Sequence, residues 1–302
     1  MKIAALDLGS NTFLCLICEV EFVNGLQKIT KIYSDHVEVV RLGQNLSATK
    51  NFQADALLRA EVCLKKFKSL IETEKPDRVL AMATSAARDA ENKESLFKIC
   101  GDLEIPLEII AGDKEAEITY RGSVSAGHSS EKKLVVDIGG GSTEFITGYA
   151  DQILHAQSIN IGCVRLTENF IYNQPTTDTE ITDCRNFINK ALCQLPNHQP
   201  TEILAVAGTP TTLAAVELGA FIPEKIDGYE MTLGSLEKWL LKLQPLSVQQ
   251  KLDLGFPAGR ADVILVGIII LIETMKKFNL SKINISTRGV RYGVALELAG
   301  RS

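Results

Sequence analysis

Two short stretches carry residue types suited to holding a phosphate. Leu134 to Glu144 reads Leu-Val-Val-Asp-Ile-Gly-Gly-Gly-Ser-Thr-Glu, a β-branched strand that runs into three successive glycines. Gly139, Gly140 and Gly141 have no Cβ, so backbone N–H groups there can approach an anion closely. Ser142 and Thr143 add hydroxyl donors, and Asp137 and Glu144 flank the turn with carboxylates. Carboxylates beside anion donors suit a phosphate that arrives with a divalent cation. The plainer reading is a glycine hairpin with incidental acids.

A second copy strengthens the phosphate reading. Ile3 to Thr12 is again an apolar strand, then Asp7, Leu8, Gly9 and the polar side chains of Ser10, Asn11 and Thr12. Asp7 and Asp137 stand 130 positions apart, a separation that suits two domains of one duplicated design. Two such turns facing each other would close on a ligand in a cleft between domains.

The remaining candidates are single residues at strand-to-helix transitions. Arg88 lies in Thr84-Ser-Ala-Ala-Arg-Asp89, where a helix N-terminus would suit an anion, although a capped helix with a surface arginine explains the same residues. Glu115 is expected in the first turn of a helix that follows the strand Pro106–Ala111. The helix dipole there favours its ionised form, as a water-activating base requires, and also favours any glutamate at a helix start. Arg41, in a glycine-containing loop, reads equally as a phosphate ligand or a solvated charge. Gly208-Thr-Pro-Thr-Thr212 is a third glycine and hydroxyl turn, bringing in Gly208 and Thr209.

The elements that must position these residues alternate strand and helix in both halves, which predicts an α/β protein. Amphipathic helices are expected over Gln53–Glu74 and Asp178–Leu195, and a buried one from Val263. Asn24-Gly25 predicts a hairpin between the second and third strands. The 302 residues allow two domains, expected at 1–123 with a returning helix at about 293–302, and at 124–292.

Composition narrows the function. The net charge of −5 gives no basic footprint for a nucleic-acid backbone. The apolar run Val263–Ile272 is too short to span a bilayer, and Asp7 follows the start too closely for a signal-peptide core, so no membrane partner is expected. Seven cysteines in mostly apolar contexts suggest reduced thiols and a cytoplasmic setting. Cys15 and Cys18 are spaced as C-x-x-C but read as buried strand residues, and the four histidines read as isolated.

The chain resembles the exopolyphosphatase / guanosine pentaphosphate phosphohydrolase (Ppx/GppA) family, in its short two-domain form, within the actin, sugar-kinase and heat-shock ATPase superfamily. The matching segments are Asp7–Thr12, Arg41-Leu-Gly43, Ala83–Ala90, Gly112-Asp-Lys-Glu-Ala116, Val136–Glu144, Gly208-Thr209 and Arg288-Gly-Val-Arg-Tyr-Gly293. The resemblance implies two ribonuclease-H-like domains with the active site between them. It makes Glu115 the catalytic carboxylate and Arg88 a phosphate contact, and puts Asp137, Gly139 and Glu144 in the phosphate and magnesium region; for hydrolysis of a terminal phosphoanhydride, Asp7, Asp137 or Glu144 is expected near Mg²⁺. The implied substrates are inorganic polyphosphate or pppGpp, with ppGpp as a product or ligand, and the implied assembly is a homodimer. Lys114 and Ala111 depart from the usual Glu and Ser of the family, and no third helical region is present, which shifts the expectation toward short chains or pppGpp. An ATP-dependent small-molecule kinase of the same superfamily, or a (p)ppGpp-binding sensor without turnover, are the competing readings.

Overall fold

The computed structural model describes residues 1–23, 25–125 and 131–301. The chain divides into two compact units, Met1–His128 with Gly289–Ser302, and Ser129–Arg288. The Asn24 half of the expected hairpin turn lies outside the described residues, as do residues 126–130 after the expected domain boundary. Residues 289–292 belong with the first unit rather than the second, because the last helix begins at Val290.

In chain order the first unit holds β1 (Lys2–Leu8), β2 (Thr12–Val23), β3 (Leu26–Val39), α1 (Leu46–Thr49), α2 (Ala54–Glu74), β4 (Arg78–Ala83), α3 (Ser85–Asp89), α4 (Glu94–Asp102), β5 (Leu107–Ile109) and α5 (Gly112–Val124). The second runs through β6 (Lys132–Ile138), β7 (Thr143–Tyr149), β8 (Gln152–Ile159), α6 (Cys163–Phe170), α7 (Asp178–Leu192), β9 (Glu202–Val206) and α8 (Gly208–Leu218). It continues with α9 (Pro223–Ile226), β10 (Glu230–Thr232), α10 (Leu233–Leu243), α11 (Val248–Asp253), α12 (Ile264–Phe278) and β11 (Lys282–Ile285), and α13 (Val290–Gly300) returns to the first unit.

Both sheets repeat one design. The first has the order β3-β2-β1-β4-β5, and the second β10-β11-β9-β6-β7-β8. In each, a central strand pairs antiparallel with the strand after it and parallel with a later one: β1 with β2 and β4, β6 with β7 and β9. This is a ribonuclease-H-like arrangement, and among the described strands β10 is added to it in the second sheet. Central strands are covered on both faces and so need continuous apolar runs. Ile3 to Leu6 and Leu134 to Val136 supply them and are 0–1% exposed.

The two cores of the first unit lie on opposite faces of its sheet. Alternation along β2 sends Cys15 and Ile17 to one and Leu16 and Cys18 to the other. The C-x-x-C pair is therefore split between faces, and burial pushes both thiols up to about 12. That agrees with the strand reading. On the second face α13 meets α5 backbone to backbone. A Cβ on Gly122 would stand 2.6 Å from the Gly293 nitrogen, and one on Gly293 would stand 2.7 Å from the Ile118 carbonyl carbon. Only glycine permits that approach.

In the second unit, α12 runs from Ile264 to Phe278 and is longer than the ten-residue run suggested. It is buried almost throughout, with Glu273 held by Asn189 Nδ2 at 2.8 Å. Among the described residues no helix is long and apolar enough to cross a membrane. His155 and His198 are not isolated, since β8 and the loop before β9 bring their rings within 5.5 Å.

Candidate functional site

The two glycine turns have the same construction. In the first unit, the Gly9 N–H donates to the Thr12 carbonyl at 3.1 Å, and in the second the Gly139 N–H donates to the Ser142 carbonyl at 3.0 Å. A Cβ at either glycine would press on that carbonyl, at 2.9 Å for Gly9 and 3.0 Å for Gly139. Each turn leaves the central strand two residues after a buried aspartate, Asp7 at 7% exposure and Asp137 at 6%. The register also sets Asp137 opposite Glu144 across β6 and β7, whereas Asp7 faces Leu14. The second turn therefore carries a carboxylate that the first lacks.

Ser10, Asn11 and Thr12 form the first turn, and the loop after β3 fastens to its back. Val40 and Arg41 N–H donate to the Asn11 carbonyl at 3.0 and 2.8 Å, and Gly43 N–H donates to that of Ser10 at 2.8 Å. Arg41 thus reaches the turn through its backbone, and its own carbonyl accepts from Arg59 at 3.5 Å. At the second turn the hydroxyls are already engaged. Ser142 donates to Glu144 Oε1 at 2.8 Å, and Thr143 donates to the Ile161 carbonyl at 2.8 Å. Ser158 also donates to Glu144 Oε1, at 2.7 Å. It stands opposite Glu144 in the β7–β8 register, which nothing in the sequence around Ser158 signals.

Glu115 sits in the first turn of α5, as expected, and is 6% exposed. Arg88, on α3, donates to Glu115 Oε2 at 2.7 Å and to the Ile110 carbonyl at 2.9 Å. Sequence reading named both residues but not their pairing, because they come from two separate helices after adjacent parallel strands. The expectation that the helix dipole keeps Glu115 readily ionised needs correction. Burial dominates and raises its pKa above the usual carboxylate range, and the Arg88 charge and hydrogen bonds from Arg88 and Thr84 pull it back only in part. A base with a raised pKa and a fixed position is suited to removing a proton from water near neutrality.

The third turn is built differently. Ala207, just before α8, has φ 71°, a sparsely populated conformation for a residue with a Cβ. The space beside Gly208 is filled by the buried Arg260 guanidinium, so a Cβ there would collide with it. Thr209 is 2% exposed and turned toward α12, where a Cβ on Gly267 would stand 2.6 Å from its Cγ2. What this turn can present to an anion is backbone N–H rather than the Thr209 hydroxyl.

The donor set around Asp137 and Glu144 is carboxylate and hydroxyl oxygen, which fits a hard cation such as Mg²⁺. Among the described residues no three His, Cys, Asp or Glu side chains cluster as a metal cage. Mg²⁺ commonly uses one or two carboxylates and completes its shell with water and phosphate, so the set present fits it.

Known proteins resemble this chain over most of its length. A profile of the Ppx/GppA phosphatase family matches residues 21–302. The chain is 31% identical to exopolyphosphatase 2 of Mycobacterium tuberculosis over 99% of both chains. It is 29% identical to a guanosine-5'-triphosphate,3'-diphosphate pyrophosphatase of Photobacterium profundum, over 99% of this chain and 59% of that one. A solved structure of an Aquifex aeolicus Ppx/GppA enzyme superposes with a TM-score of 0.82 at 30% identity, covering 98% and 99% of the two chains. Fold, turns and relatives together define an enzyme, a phosphoanhydride hydrolase. The chain belongs to the Ppx/GppA phosphatase family.

Proposed function

We propose that this enzyme releases the terminal phosphate of inorganic polyphosphate, converts pppGpp to ppGpp, or does both, with Glu115 activating the attacking water. The observation that carries the reading is the buried Glu115 held at 2.7 Å by Arg88, in a unit that also carries a phosphate-type glycine turn. Glu115 Oε2 stays bound to Arg88, which fixes the carboxylate while its other oxygen takes the proton. In the first unit the N–H groups of the Gly9–Thr12 turn, and in the second those of the Gly139–Ser142 turn with backbone donors of Gly208 and Thr209, would each hold phosphate oxygens. Mg²⁺, when bound, neutralises charge on the phosphate oxygens; Asp137 and Glu144 of the second unit would hold it, and Asp7 is the corresponding carboxylate of the first. Positioning and charge stabilisation then supply most of the rate, because phosphoryl transfer asks little covalent chemistry of the protein.

We also infer a cytoplasmic enzyme that assembles as a homodimer. The seven free cysteines support the first, and sedimentation of the purified protein tests the second.

The test of function is phosphate release with Mg²⁺ from short polyphosphate, long polyphosphate and pppGpp, beside the Glu115→Gln variant. Release that requires Glu115 is expected, and the ranking of substrates identifies the preferred one. No release from any of the three would refute the hydrolase reading.

A further inference from the structure

The second glycine turn has something fastened to its back, as the first does, but the fastener is a helix. Gly162, the residue before α6, offers no side-chain cap, so the first N–H groups of the helix need partners elsewhere. They find them on the turn. Cys163 N–H donates to the Gly139 carbonyl at 3.0 Å, and Val164 and Arg165 N–H donate to that of Gly140 at 2.9 and 3.0 Å. The third carbonyl, of Gly141, is taken by a side chain: Arg165 Nε donates to it at 2.7 Å. A Cβ on Gly162 would collide with the Gly140 and Gly141 backbone, so this seat is tight.

In a trans peptide the carbonyl and the following N–H point to opposite sides. With the carbonyls of Gly139, Gly140 and Gly141 all turned to α6, the N–H groups of Gly140, Gly141 and Ser142 are turned away from it together. Successive N–H groups aimed one way form an anion-binding concavity. The first unit shows the same logic with different parts. Matching the turns by their closing bonds sets Asn11 against Gly141. The Asn11 carbonyl is held by two backbone N–H groups, and the Gly141 carbonyl by Arg165.

Resting on the phosphate reading of this turn, we propose that Arg165 is a positioning residue. By holding the Gly141 carbonyl through Nε it orients the Ser142 N–H, and so completes the phosphate cradle that α6 organises. Its role is the direction of a donor, not the charge of its guanidinium.

Two substitutions separate these roles. In Arg165→Gln, Nε2 stands as many bonds from Cα as Nε does in arginine, so a donor is kept and the charge lost. In Arg165→Lys the charge is kept and a methylene replaces the donor. The probe is inorganic phosphate, with its affinity measured by calorimetry on wild type and both variants, together with KM and kcat on short polyphosphate and the thermal midpoint. We expect Arg165→Lys to weaken phosphate binding about three- to tenfold, the worth of one net hydrogen bond, and to raise KM alongside. Arg165→Gln should stay within about twofold of wild type, and the midpoints should agree, since one such bond is a small part of total stability. The opposite order, with lysine retaining affinity and glutamine losing it, would overturn the positioning role in favour of direct charge contact. Equal affinity in both variants and wild type would overturn it too, and so would a wild type that binds no phosphate. A wild type that binds phosphate but releases none from polyphosphate or pppGpp would refute the hydrolase reading alone.

Discussion

Gly293→Ala should damage catalysis from a distance, through the helix that carries Glu115. A Cβ at position 293 would stand 2.7 Å from both the Ile118 carbonyl carbon and its Cγ2, and closer still to the carbonyl oxygen. Carbon atoms pack best at about 3.5–4.0 Å, so α5 and α13 must part by about an ångström. Backbone on both sides leaves no flexible side chain to give way. Overpacking of this kind costs about 1–3 kcal/mol, and each kcal/mol lowers the midpoint of a domain this size by about 2–8 °C. Glu115 lies three residues before Ile118 on the same helix, and a 1 Å misplacement of a catalytic group can cost about 10²-fold in rate. The assay is kcat for phosphate release beside a thermal melt. Gly234→Ala is the control, because a Cβ there meets nothing within 4 Å and the residue lies in α10. That control should melt at or slightly above wild type, as alanine favours helix. Wild-type kcat and midpoint in Gly293→Ala would refute the claim that close approach of α13 sets the position of Glu115.

Four further outcomes can be measured. Glu115→Gln should lower kcat by about 10²- to 10⁴-fold while substrate still binds, which equilibrium binding beside single-turnover rates would show. In Arg88→Met the opposing charge is gone, so burial raises Glu115 further. A base works only when ionised, so the acidic limb of the kcat/KM profile should move to higher pH, with activity partly restored in alkali; an unmoved limb would count against Glu115 as base. Asp137→Asn should raise the Mg²⁺ concentration for half-maximal activity, and an unchanged titration would remove Asp137 from the metal site. Lys251 is buried and donates to Gln174 Oε1 at 3.0 Å, and burial lowers its pKa from the usual 10.5 to about 8. Between those values the unfolded chain binds the proton and the folded chain does not, so stability should rise with pH across that window. Lys251→Met should lose that rise in urea titrations at pH 7 and pH 10.

Local patterns were enough to read much of the fold. The apolar runs of β1 and β6, the spacing in α2 and α7, and the glycine turns mark their own elements, because hydrophobic period and backbone freedom are properties of neighbouring residues. Shorter pieces such as α4 and β10 escaped, since nine and three residues carry too little periodicity to stand out. The repeat of a strand, an aspartate and a glycine turn at Asp7 and Asp137 was also open to inspection, and both sheets follow the duplicated order it suggested.

What the chain order could state about the site was its residue types; what it could not state was their partners. Glu115 and Arg88 were both candidates, but their ion pair exists only because β4 and β5 lie side by side and release their helices at the same edge. The titration of Glu115 was misjudged for the same reason. A helix dipole belongs to local sequence, while desolvation depends on everything packed around the carboxylate, and here burial is the largest influence and raises the pKa. Ser158 reaches Glu144 through strand register, and Arg165 reaches Gly141 through the seating of α6, neither of which has a signature in neighbouring residues. Sequence alone determined which groups could bind phosphate and activate water. Tertiary structure decided which way those groups point and how readily they ionise, because direction and solvation are set by contacts between segments far apart in the chain.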